Sequence, residues 1–267
     1  MDGKIHLLVI DPQNDFCDIP GAALPVAGAD ADLQRLAALV DRVGLRLADI
    51  HVTLDSHHAL DIAHPAWWVN AHGESPAPFT PISVADVADG IWLARDARRQ
   101  EDSLRYVQAL QDNGRYQLII WPEHCLIGSW GHNVHSAVAE ALQSWERKSL
   151  KAVDYVWKGT NPATEHYSAI QAEVPDQGDA ATLLNRALID RLASADQVLI
   201  AGEALSHCVA ATVRDLADNL PAEQLSKLVL LTDCSSPVAT FEPLAAQFLS
   251  ELTARGMRTA LSTEVMA

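Results

Sequence analysis

Basic residues are scarce in this chain. Its 267 residues include 19 lysines and arginines against 35 aspartates and glutamates, a formal charge of −16. Such a surface repels phosphate backbones and anionic lipid, so neither nucleic acid nor a membrane is expected as a partner. A small neutral substrate stays compatible with it. Long hydrophobic runs are also missing: no stretch approaches the roughly 20 apolar residues that span a bilayer. The apolar run nearest the start, Ile5 to Ile10, is too short for a secretory signal. Cysteine is sparse, and Cys17, Cys125, Cys208 and Cys234 show no paired spacing. In a leaderless chain they are expected to be reduced thiols rather than a disulfide framework, and the cytosol is the expected compartment.

What the chain does hold is an apolar fraction of 49%, enough for a sizeable core. Its length suits one large α/β domain or two small ones. The runs 5–10, 50–54, 117–120, 150–157, 197–201, 228–232 and 257–261 read as strands. Helical spacing covers 29–47 (Leu33, Leu36, Ala37, Val40, Val43, Leu47), 103–111, the stretch bearing His135, Val138, Ala139 and Leu142, then 180–192, 210–216 and 241–253. Alternation of this kind predicts one α/β domain over 1–267, a parallel sheet with helices on both faces. Between about 58 and 116 the pattern loosens into an aromatic- and proline-rich excursion. It reads as an ordered insertion of the sort that becomes a lid or a subunit contact.

Reactive side chains gather at the predicted strand ends, where open α/β sheets place their chemistry. Asp11 closes the first strand, as a turn-forming aspartate before Pro12 or as a functional carboxylate. Asp55 and His57 lie two apart, so on an extended backbone they share a face and could ligate a divalent metal. His124 follows the 117–120 run and is the natural third ligand. His64 and His72, inside the excursion, could approach a metal or stand on the surface; His132 and His135 read as structural. Lys158 is either a solvated charge or a fixed cation beside a nucleophile. Cys208 sits in Gly202-Glu203-Ala204-Leu205-Ser206-His207-Cys208-Val209, between an apolar strand and a helix. That turn could house a buried structural thiol. It could equally house a nucleophile, favoured as thiolate by the helix start and by Lys158.

Taken in order, Asp11-Pro12-Gln13-Asn14-Asp15-Phe16, Asp55-Ser56-His57, Trp121-Pro122-Glu123-His124-Cys125, Lys158-Gly159-Thr160 and 202–209 resemble the isochorismatase-like cysteine hydrolases. Within them the set is most similar to the nicotinamidases and pyrazinamidases, across nearly the whole chain. The resemblance implies a six-stranded parallel sheet in a flavodoxin-like, three-layer layout. It implies a catalytic triad of Asp11, Lys158 and Cys208 and a divalent metal, zinc or else iron or manganese, on Asp55, His57 and His124. Oxyanion donors at Ala204 and Cys208 are implied as well, with a cis peptide at Glu203-Ala204, and aromatic walls at Phe16 and Trp121. The implied activity is deamination of nicotinamide to nicotinate and ammonia, in an enzyme that forms homo-oligomers.

Three features depart from the family pattern. Leu205-Ser206-His207 stands before the cysteine where Thr-Asp-Tyr or Thr-Asp-His is usual, Glu203 replaces a small or apolar residue, and the segment between His57 and His124 is long. Two other readings therefore stand beside the first. One is a metal-independent amidase of the same fold acting on an N-carbamoyl, ureido or maleamate-like amide. The other is an isochorismatase-type ether hydrolase or a non-catalytic interaction protein. The Asp55, His57 and His124 set, and the lack of a basic cluster to hold a carboxylate, speak against the metal-free amidase. The complete triad speaks against a non-catalytic protein, and the acidic surface against a dianionic substrate.

Overall fold

The computed structural model describes residues 4–266. Among these, ten strands form: β1 Ile5–Ile10, β2 Leu47–Asp55, β3 Trp68–Val69, β4 Pro81–Ile82, β5 Leu93–Ala94, β6 Leu118–Ile119, β7 Asp154–Lys158, β8 Gln197–Gly202, β9 Leu228–Leu231 and β10 Arg258–Ala260. Six of them build one sheet in the order β10-β9-β8-β1-β2-β7. Every pairing in it is parallel. Side chains alternate between faces along a strand, and the core divides accordingly. Leu7, Val9, Val52, Leu199 and Leu231 pack with Leu33, Leu36, Leu142 and Trp145 from helices Ala29–Val43 and Ser136–Ser149. Leu8, Ile10, Ile200 and Leu230 pack with Leu188, Val213, Leu216 and Phe248 from helices Arg186–Ala193, Ala210–Asp218 and Glu242–Ala254. The result is the expected three-layer α/β/α arrangement.

The chain winds from β1 outward through β2 to β7, then crosses to β8 and runs outward the other way. The switch between β1 and β8 is where such sheets bind ligands. Gly202, at the end of β8, has φ +115, and a Cβ there would stand 1.9 Å from the Ile10 carbonyl oxygen, so only glycine lets these two strand ends close up.

Several sequence expectations are corrected. Helix 29–47 stops at Val43, because Gly44 breaks it and Leu47 already begins β2. The run 117–120 supplies only β6, which pairs antiparallel with β4 outside the main sheet. Beside β2 in the main sheet stands β7. The strand expected at 150–157 is shorter and shifted, ending on Lys158. The helix expected over 180–192 is interrupted: a short turn at Ala180–Thr182 precedes helix Arg186–Ala193, capped by the Asn185 side chain.

The excursion is built rather than loose. β3 pairs with β5, helix Val84–Ala88 starts in a reciprocal Ser83–Asp86 capping box, and helix Gln100–Asn113 ends on Gly114 in the left-handed region. No helix among the described residues is long and apolar enough to cross a membrane.

Candidate active site

The end of β1 delivers Asp11, a residue at φ 45 whose carboxyl is fully buried. Thr53 of β2 holds it from both sides: the Asp11 N–H donates to Thr53 Oγ1 at 3.0 Å, and that hydroxyl donates to Asp11 Oδ1 at 2.5 Å. From β7 comes Lys158, 2% exposed. Its ammonium lies 2.9 Å from Asp11 Oδ2, 2.9 Å from Asp55 Oδ1, 3.0 Å from the His166 carbonyl and 3.6 Å from Cys208 Sγ. Cys208 occupies a π-helical turn, Leu205–Val209, that opens helix Ala210–Asp218 and follows a cis Glu203-Ala204 peptide. Single π turns of this kind recur at functional sites. Asp11, Lys158 and Cys208, far apart in sequence, thus meet at the β1/β8 switch.

The charges there are coupled through Lys158. Burial opposes its ammonium, but Asp11, Asp55 and Cys208 outweigh burial and raise Lys158 well above the ordinary range. Burial raises Asp11 too, against the pull of Lys158. The Cys208 thiol is pushed well up, first by burial and then by Asp11 and Asp55, with Lys158 pulling the other way. Lys158 thus favours the thiolate, as expected, and the sequence reading did not weigh the burial and the two carboxylates that oppose it.

Beside this cluster lies a group of imidazoles. Asp55 Oδ2 is 3.0 Å from His57 Nε2 and 3.5 Å from His124 Nε2. Ligand atoms of His57, His64 and His124 all fall within 4.8 Å of one another. His64 is fully buried here, which overturns its surface reading; His72 is exposed. His132 meets Ser56 and Trp157, and His135 meets Asp30, so both keep structural contacts. Each of the three clustered rings can spend Nδ1 on an outer acceptor, Asp61 at 3.0 Å for His57, the His58 carbonyl at 3.2 Å for His64 and the Pro122 carbonyl at 2.8 Å for His124. That leaves the Nε2 lone pairs free for a cation, with Asp55 as the anionic ligand. A borderline divalent ion such as zinc suits this donor set. Gln13 braces it, accepting from the Asp55 N–H and donating to the Asp55 carbonyl, each at 2.8 Å.

A small pocket opens onto both clusters, lined by Phe16, Trp121, Tyr167, Ala204, Val238 and Cys208. Trp121 donates its indole N–H to the Tyr167 hydroxyl at 2.9 Å, and the His207 ring stands edge-on to it at 5.2 Å. Phe16 stands edge-on to His124 at 5.4 Å. Glu165 also reaches the pocket, buried and with its pKa raised by burial, Oε1 accepting from the His166 N–H and Oε2 unpartnered among the described residues. The sequence reading missed Asp61, Glu165, Tyr167 and His207. Asp61 offered a usable signal, a carboxylate one helical turn past His57. Residues 165–167 follow Lys158 in an irregular stretch without periodicity.

No family model matches the chain. The nicotinamidase of Escherichia coli (strain K12) is 27% identical to it over 251 residues, 94% of this chain and 91% of that protein. The yeast nicotinamidase bound to the inhibitor nicotinaldehyde superposes with a TM-score of 0.66 at 20% identity, over 96% of this chain and 99% of that one. The Pyrococcus horikoshii pyrazinamidase in complex with zinc gives 0.56 at 19% identity, over 97% and 99%. Sheet order, chain-long superposition and sequence similarity agree: the chain has the fold of the nicotinamidases and pyrazinamidases and is similar to them over nearly its whole length.

Proposed function

We propose that this enzyme deaminates nicotinamide to nicotinate and ammonia through a thioester on Cys208, with Asp11 as proton carrier. The observation that carries the reading is the convergence at Lys158, which touches Asp11, Asp55 and Cys208 at the floor of an aromatic pocket. Similarity to a nicotinamidase over nearly the whole chain supports the substrate.

In the first half-reaction the Asp11 carboxylate takes the Cys208 proton as sulfur attacks the carboxamide carbon. A raised Asp11 pKa suits this transfer, since donor and acceptor then differ less in proton affinity. Lys158 keeps the site's net charge steady while the proton moves. The Ala204 and Cys208 N–H groups hold the oxyanion, each contributing about 3 kcal/mol in the transition state. Asp11 then protonates the departing nitrogen, the C–N bond breaks and ammonia leaves. In the second half-reaction Asp11 deprotonates a water that attacks the thioester carbonyl. The C–S bond breaks, the acid leaves, and sulfur recovers its proton. Trp121 and Phe16 sandwich the ring. Asp55, His57 and His124, joined by His64, would hold a divalent metal, whose chemistry is to bind the ring nitrogen as a Lewis acid and so orient the amide toward Cys208.

Ammonia release from nicotinamide, by native protein and Cys208→Ala with and without a chelator, tests this. The native enzyme is expected to turn over, Cys208→Ala to be inactive, and chelation to remove activity that zinc restores. No release by the zinc-loaded native enzyme would sink the substrate assignment. Turnover indifferent to chelation would point to the metal-free amidase.

A further inference from the structure

Glu203 belongs to neither the triad nor the imidazole cluster, yet it is fully buried at the turn that presents Ala204 and Cys208. Its backbone N–H donates to the Ile10 carbonyl at 2.8 Å, which fixes where the side chain leaves the strand end. The side chain turns away from the substrate pocket. Oε2 accepts from the Ser236 N–H at 3.1 Å, and the carboxyl lies beside that of Asp32 on helix Ala29–Val43, which holds the same Ser236. Asp32 is engaged elsewhere too, accepting from the Ser236 hydroxyl at 2.6 Å and pairing with Arg35. Two buried carboxyls side by side favour a proton on one of them, because neighbouring anions out of water repel. Glu203 Oε1 accepts from no donor among the described residues, as fits an oxygen that itself carries the hydrogen.

The partners of Glu203 are in turn the clamps of the oxyanion turn. The Ser236 carbonyl accepts from the Leu205 N–H at 2.8 Å, and Ser206 Oγ accepts from the Val238 N–H at 3.1 Å. Val238 lines the pocket. We propose that Glu203 is a positioning residue for catalysis, a neutral acid whose hydrogen bonds tie the oxyanion turn to the 235–238 loop and to helix Ala29–Val43. Burial, with Asp32 alongside, pushes the Glu203 carboxyl well above the ordinary range, in keeping with that state. What the site requires of Glu203 is reach and hydrogen bonding; charge is not required. The inference rests on the oxyanion role proposed for Ala204 and Cys208.

The test compares Glu203→Gln with Glu203→Leu. Glutamine can accept from Ser236 and donate to Asp32, whereas leucine fills the space and does neither. Glu203→Gln is expected to keep kcat on nicotinamide within about twofold of native. Glu203→Leu is expected to lose about tenfold to a hundredfold in kcat, with KM nearly unchanged, as a misplaced oxyanion hole would produce. Amide hydrogen exchange of the peptide spanning 202–209 is read on the same proteins. It should be native-like in Glu203→Gln and about tenfold faster in Glu203→Leu. If the leucine variant does not fold, Glu203→Asp, which keeps the acid but withdraws it by one methylene, should lose more activity than glutamine. Leucine matching native in both measurements, or glutamine (or, in the fallback, aspartate against glutamine) failing the stated order, overturns the proposal. If native protein releases no ammonia from nicotinamide, the substrate reading fails while the exchange comparison still decides Glu203.

Discussion

Single side chains here act through their partners more than through their own chemistry. Asp61 shows it: fully buried, it accepts from the Ala63 N–H at 2.9 Å and holds His57 Nδ1 at 3.0 Å. It thereby fixes which ring nitrogen of His57 faces the other imidazoles. Replacing such an outer carboxylate generally costs a metal site about 10–100-fold in affinity. Asp61→Asn should therefore weaken zinc binding by about that factor, measured by competition against a chromophoric chelator; unchanged affinity would show that His57 is oriented by something else. The Asp55 and His57 pair could be read from its spacing alone, because two residues on an extended strand must share a face. Tyr167 and Glu165 could not. They reach the pocket from an irregular loop, where no periodicity converts sequence distance into direction. Lys158 was legible as a cation at a strand end that favours the Cys208 thiolate, but the opposing push of burial, Asp11 and Asp55 was not. Whether one ammonium outweighs burial and two carboxylates depends on the packing around them.

At the level of elements, hydrophobic patterning located the six strands of the main sheet and most of the helices, since each must bury an apolar stripe or face. It failed at 117–120, where an apolar run forms only a two-residue strand outside the main sheet. Residues 117–120 look like a buried strand, and only the assembled sheet reveals that β7 holds the place beside β2. Local capping chemistry in the excursion offers a direct check on how firmly that region is built. The Ser83 side chain accepts from the Asp86 N–H at 3.1 Å while the Asp86 carboxylate accepts from the Ser83 N–H at 2.8 Å. Ser83→Ala should cost about 1 kcal/mol, the usual worth of an N-cap. Urea unfolding would register it if the excursion unfolds with the sheet. An unchanged midpoint together with local loss of exchange protection over 84–88 would show that it opens separately.

For the molecule as a whole, a buried histidine such as His207 makes stability depend on pH in the acid range. Burial among aromatic rings lowers His207 to about 4. The unfolded chain would bind its proton near the ordinary value of about 6.5. With the folded value depressed, the unfolded state binds more protons between these limits, so this contribution is intact above about pH 6.5 and is lost as the pH falls toward 4. Between pH 7 and pH 5, native protein should lose about 2 kcal/mol more stability than His207→Asn, a figure that follows from about 1.4 kcal/mol per unit over the 1.5 units below 6.5. Equal losses in urea titrations at the two pH values would mean that His207 already carries its proton in the fold.

The excursion leaves the site just after Asp55 and His57 and rejoins it just before Trp121 and His124. Its two ends are laced together there, by the Trp121 N–H donating to the Ala63 carbonyl at 2.8 Å and by the His57 N–H donating to the Cys125 carbonyl at 3.1 Å. The candidate site therefore lies at the neck of a closed ring of chain rather than along its circumference. Lengthening the far side of that ring adds loop entropy that grows only with the logarithm of its length. Residues near the exposed tip at Gly73 are accordingly free to drift, lengthen or acquire new surface chemistry while the geometry at the neck stays as it is. Evolution, or a protein engineer, can rewrite the rim of this enzyme without touching its centre.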